Sequence, residues 1–80
     1  MKRIDWHARI EISADVHHGD PCIRGTRIPV SMILGSLADG LSAQEIIKEY
    51  PQLKQDDIQA ALSYASDAVR SDVLMPLPLQ

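Results

Sequence analysis

The chain has a single cysteine, Cys22, so it has no intrachain disulfide framework, and a lone thiol agrees with a reducing compartment. No apolar run approaches the ~20 residues that a membrane span needs. The opening stretch, residues 1–13, lacks the apolar segment of a signal peptide, so the cytoplasm is the expected location. There is no basic excess either. Eight Lys and Arg stand against eleven Asp and Glu, for a net charge of −3. That argues against a generic polyanion binder, because non-specific nucleic-acid affinity comes from positive charge. Repeats, low-complexity tracts and linkers are absent. So are a phosphate loop, a supported Ser-His-Asp pattern and a carboxylate pair in a plausible cleft. A chain this short has little room for a water-excluding pocket. The expectation is a protein that is not an enzyme and takes no cofactor.

What is there is one small domain of 80 residues, 45% apolar and 24% charged, as in folded soluble proteins. A domain of this size buries only roughly 60–65% of the surface its unfolded chain exposes. Its folding is therefore expected to lean on a partner or on dimerisation. Charge is unevenly spread. Residues 1–30 carry five basic and four acidic side chains and all three histidines, whereas residues 31–80 carry three basic and seven acidic ones.

Apolar residues alternate in Arg9-Ile10-Glu11-Ile12-Ser13, which predicts a short strand. His17-His18-Gly19-Asp20-Pro21 is a turn cluster, and Cys22-Ile23-Arg24 predicts a second short strand stopped by Gly25. Two such strands are marginal alone, and a symmetry mate offering the same edge is an economical solution. Ile10, Ile12 and Ile23 are then the expected dimer contacts. Val30, Ile33, Leu34 and Leu37 fall on one helical face, with Pro29 at the start and Gly40 as a left-handed stop, so a helix is expected over about 29–39. Ser42-Ala43-Gln44-Glu45 fits a capping box, with Leu41 and Ile46 at the staple positions, and a second helix runs about 43–50 to Pro51. A third helix is expected over about 55–70, with Ile58, Ala61, Leu62, Ala65, Ala68 and Val69 as its apolar face. The single trihelical domain thus covers 1–70. Residues 71–80 form an apolar tail broken by Pro76 and Pro78.

Helices two and three, joined by a turn from Pro51 to Lys54, have helix-turn-helix spacing. One reading places the start of helix three in a major groove, where Lys54, Gln55, Gln59 and Ser63 face bases or phosphates. The other is a three-helix bundle with a solvated polar face, and Asp56 and Asp57 at the helix start favour it. Arg24 and Arg27 flank Gly25-Thr26. They either form an anion site at the next helix N-terminus or pair with Glu11, Asp15 or Asp20. His17, His18 and Cys22 do not make a metal site, because adjacent residues on an extended chain point opposite ways and no second pair of ligands exists. The tail is either a partner contact or a frayed terminus.

Taken together, Gly19-Asp20-Pro21-Cys22-Ile23-Arg24-Gly25-Thr26-Arg27-Ile28-Pro29-Val30, the block from Gly40 to Ile46, Tyr50-Pro51-Gln52-Leu53 and the block from Asp56 to Ala65 resemble the family called domain of unknown function 433. The resemblance covers roughly residues 10–68. It implies a mainly α, homeodomain-like three-helix fold with a short N-terminal β element, often dimeric. It also implies a VapB-like antitoxin that neutralises a PIN-like ribonuclease toxin and binds its own operator DNA. Lys54 stands where a capping Ser or Thr is expected, which predicts a less firmly started third helix. On this reading Lys54, Gln55, Gln59 and Ser63 face DNA, with Arg24 and Arg27, helped by Arg3 and Arg9, on phosphate. Arg70, Leu74, Met75 and Leu77 bind the toxin. The competing reading is a protein-interaction module on the same scaffold without DNA binding.

Overall fold

A computed structural model of the chain describes residues 4–13 and 19–70. A 3-10 turn at Trp6–Ala8 leads into β1 (Ile10–Glu11), which pairs antiparallel with β2 (Cys22–Ile23) in the register Ile10 to Ile23 and Glu11 to Cys22. Three helices follow: α1 (Val30–Ala38), α2 (Ala43–Glu49) and α3 (Gln55–Ala68). The protein is therefore mainly helical, with a small two-stranded sheet near its N-terminus, and each helix lies within two residues of its expected span.

β2 is paired on both sides within the chain. After the tight turn at Gly25, where φ is +84°, the chain returns so that Ile23 N–H donates to the Ile28 carbonyl (3.0 Å) and Val30 N–H to the Pro21 carbonyl (2.9 Å). The Thr26 hydroxyl locks this turn by donating to the Ile23 carbonyl (2.8 Å) and accepting from Ile28 N–H (3.0 Å). The Ile10 and Ile23 side chains are 3% and 2% exposed, inside the core. This corrects their assignment to a dimer interface. The hairpin finds its third rung and its apolar backing in its own chain, so its side chains need no symmetry mate. Ile12 alone of the three is on the surface, at 54% exposed.

The core joins Ile10, Ile23, Ile28 and Val30 to Ile33, Ile46, Leu53, Ile58, Ala60 and Ala61. The end of α1 has paired bonds from Gly40 N–H to the Leu37 carbonyl (3.0 Å) and Leu41 N–H to the Ser36 carbonyl (3.1 Å), with Gly40 at φ +98°. Two residues later α2 opens on a complete capping box. Ser42 Oγ accepts from Glu45 N–H (3.1 Å) and Glu45 Oε1 from Ser42 N–H (2.8 Å), while Leu41 and Ile46 pack on the core beneath. A helix of seven residues depends on this start. Ser42→Ala is expected to lower unfolding free energy by about 1 kcal/mol, read from the urea midpoint. An unchanged midpoint would mean that packing alone holds α2.

α3 differs from its expected face. Leu62 and Val69 are 43% and 56% exposed, whereas Asp57, Ala60 and Ser63 are buried. The reason is that α3 is covered from several directions: α1 and α2 on one flank and the 3-10 turn on another. The buried arc is wider than an amphipathic stripe, and it takes in the small polar side chain of Ser63 and the carboxylate of Asp57. A ridge stays open through Gln55, Gln59, Leu62 and Val69, with Asp56 exposed beside its head and Arg70 beside its end.

Candidate functional site

Three pieces of chain meet at one end of the molecule: the hairpin turn at 24–27, the α2–α3 turn and the first turn of α3. Gln52 of the α2–α3 turn lines one shallow hollow with Gly25, Thr26, Arg27, Glu11 and Cys22. Asp57 lines a second with Ala8, Arg9, Arg24 and Gly25. The α2–α3 turn is anchored by Leu53, which is 2% exposed and whose N–H donates to the Tyr50 carbonyl (2.9 Å). With Leu53 pulled inward, Gln52, Lys54 and Gln55 on either side point out.

The start of α3 is firmer than Lys54 predicts. An ammonium cannot accept a backbone hydrogen bond, so the usual N-cap acceptor is missing. Asp57 compensates from inside the helix: its Oδ2 accepts from the Lys54 N–H (2.9 Å). Its Oδ1 accepts from Arg9 Nη1 (3.0 Å), and Arg9 Nη2 reaches Asp56 Oδ2 at 3.4 Å. Nothing local in the sequence announces this pairing, because Arg9 and Asp57 are 48 positions apart. A second long-range contact, Trp6 Nε1 donating to Asp67 Oδ2 (2.9 Å), fixes the other end of α3, with the Tyr64 ring edge-on to the indole at 4.8 Å. His7 stacks on the indole at 3.9 Å, and its Nδ1 lies 2.7 Å from Asp5 Oδ1. The His7 side chain and backbone N–H together hold the Asp5 carboxyl below its ordinary range.

The expected nucleic-acid residues divide. Lys54, Gln55 and Gln59 are exposed at the head of α3, and Arg27 is exposed at the tip of the hairpin turn. Ser63 is 5% exposed and points inward, so it is removed from the groove-facing set. Among the described residues Arg24 bonds backbone carbonyls and no carboxylate, and Asp15, one of its expected partners, lies outside them. The Arg24 guanidinium donates to the carbonyls of Ala8 (3.3 Å), His7 (3.2 Å) and Ile10 (3.2 Å), tying the 3-10 turn to the sheet. Arg9, expected on phosphate, is held by Asp57 and Asp56.

Arg70 is exposed and borders a shallow apolar groove with Leu62, Ala65, Ser66 and Val69. Leu74, Met75 and Leu77 lie outside the described residues, as do His17, His18 and Arg3. Among the described residues no group of three His, Cys, Asp or Glu side chains is placed to hold a metal ion, and no helix is long and apolar enough to cross a membrane. The Cys22 thiol is 2% exposed, and burial, then the charges of Asp20 and Glu11, push its pKa up, which suits a packed side chain rather than a nucleophile.

Comparison with known proteins agrees with this architecture. A crystal structure of a member of family 433 from Anabaena variabilis superposes with a TM-score of 0.74 at 31% identity, over 80% of this chain and 63% of that one. An uncharacterized protein of Sinorhizobium fredii, y4eO, is 38% identical over 53 residues, which are 66% of this chain and 24% of that protein. The chain thus spans about a quarter of the curated relative it matches and under two thirds of the solved one. The family model described as a protein of unknown function, 433, matches residues 10–65, from β1 through most of α3, and the chain belongs to that family.

Proposed function

We propose that this chain is the antitoxin of a type II toxin–antitoxin pair, neutralising a PIN-like ribonuclease and, as a homodimer, repressing its own operon through the α2–α3 helix-turn-helix. The observation that carries the nucleic-acid half is the head of α3. Lys54, Gln55 and Gln59 are exposed there, Arg27 stands on the neighbouring hairpin turn, and one of the two opposing carboxylates, Asp57, is buried and paired. Glutamine amides suit adenine edges, and Lys54 and Arg27 suit phosphate. A dimer reads half-sites about 34 Å apart or a multiple of that. The partner half draws support from the apolar end of the α3 ridge, where Leu62 and Val69 are open beside Arg70.

A mobility shift on the region upstream of the reading frame tests this, at low and moderate salt. Binding is expected to weaken with salt, and Lys54→Ala to cost roughly three- to tenfold in affinity and to reduce the salt slope by about 1. No shift at micromolar dimer favours the second reading, a protein-interaction module without DNA binding. The net charge of −3 and the exposed Leu62 and Val69 support that alternative.

A further inference from the structure

We infer that Arg9 is a positioning residue that makes the head of α3 acceptable to a polyanion, not a phosphate contact itself. This rests on the nucleic-acid reading of the same helix start. Asp56 and Asp57 follow Gln55 directly, in the first turn of α3. Two carboxylates there suit the positive end of the helix dipole, and they repel a phosphate that approaches the same end. Arg9 answers both. Its two terminal nitrogens reach Asp57 at 3.0 Å and Asp56 at 3.4 Å, so one planar fork spans two neighbouring acids. Asp57 is fully engaged, with one oxygen on Arg9 and the other on the Lys54 N–H, and its side chain is 8% exposed. Asp56 is the acid that a ligand meets, since its side chain is 57% exposed and Arg9 is its only cation within 4 Å among the described residues. Arg9 arrives from the end of the 3-10 turn, outside the α2–α3 unit, and its side chain, 35% exposed, reaches the helix head. The chain thus carries its own counter-charge to the surface that DNA approaches. Arg9 acts through Asp56 and Asp57 and needs no contact with the ligand.

The test separates charge from scaffold. In Arg9→Gln with Asp57→Asn the half-buried ion pair becomes a neutral amide pair. The new Asn Oδ1 still accepts from the Lys54 N–H, net charge is unchanged, and Asp56 loses its cation. On a duplex carrying the chain's own upstream region at ~100 mM salt, this double variant is expected to bind about tenfold more weakly than the wild type. Adding Asp56→Asn is expected to restore binding to within about twofold. Restoration by removing an exposed charge is a result that a purely structural Arg9 does not give. Wild-type affinity in the double variant, or a loss that Asp56→Asn leaves in place, overturns the inference while the nucleic-acid reading stands. No binding by the wild-type chain overturns both. Should the double variant fail to fold by circular dichroism, Arg9→Lys takes its place, keeping one charge without the fork. An intermediate loss relieved by Asp56→Asn supports the inference, and no loss overturns it.

Discussion

Ile33→Ala is expected to lower the free energy of unfolding by about 3 kcal/mol, with a fall in melting temperature of roughly 15 °C. Ile33 has no exposed surface and sits in α1, facing a core assembled from the hairpin, α2 and α3. Truncation removes three heavy atoms from a core closed by α2, α3 and the hairpin, so the cavity has little room to collapse. The domain has few alternatives. It contains no phenylalanine, and its fully buried large side chains are isoleucine, leucine and valine. For 80 residues the total stability is on the order of 4–12 kcal/mol, so one such loss is a large share of it. Ile33→Val is expected to cost about 1 kcal/mol. A loss below that for alanine would show that the core does not converge on α1.

Asp57→Ala comes next, at about 2–3 kcal/mol. The substitution removes the acceptor for the Lys54 N–H, leaving α3 uncapped, and strips Arg9 of its closest partner. Breaking a fully buried ion pair costs about 3–5 kcal/mol, and the value here is set lower because the Arg9 side chain is 35% exposed and recovers water. Asp57→Asn keeps the bond to Lys54 and is expected to lose about half as much. Urea melts read by Trp6 fluorescence suit both variants, since Trp6 is the only tryptophan and packs on α3. A double-mutant cycle with Arg9 should give a coupling of about 1 kcal/mol or more. Zero coupling would mean that the 3.0 Å contact contributes nothing to folding.

Local chemistry made the helices legible. Gly40 and the Ser42–Glu45 box are contained within a few residues, so the α1–α2 junction could be placed from the sequence with no knowledge of what packs on it. The heptad-like spacing of Val30, Ile33, Leu34 and Leu37 was equally self-contained. What could not be read depends on contacts between distant positions. Arg9 and Asp57 lie 48 positions apart, Trp6 and Asp67 lie 61 apart, and neither pair leaves a local pattern. Without those contacts Asp57 reads as an obstacle to DNA and Arg9 as a phosphate ligand, whereas the two are bonded to each other and Asp57 caps α3. The buried face of α3 differs from its sequence pattern for the same reason. Alternation of apolar and polar residues marks one packing neighbour, and α3 has several, so Ser63 went inside and Leu62 outside. The burial of Ile10 and Ile23 by their own chain leaves no mark in the alternation, because the return of residues 28–30 alongside β2 is a matter of turn geometry, set by Gly25 and Thr26, and not of hydrophobic period. At the site, Lys54, Gln55, Gln59, Arg24 and Arg27 are exposed as the sequence reading expects, though the Arg24 guanidinium is spent on backbone carbonyls.

The two long-range tethers of α3 originate at Trp6 and Arg9, and both precede the stretch that matches the family, which begins at residue 10. Homology and self-sufficiency therefore have different borders in this protein. A fragment trimmed to the shared segment keeps every family-matched residue yet forfeits the indole at one end of its longest helix and the guanidinium at the other. Wherever evolution has embedded this module in a longer polypeptide, the flanking sequence must furnish equivalent moorings or the helix must manage without them.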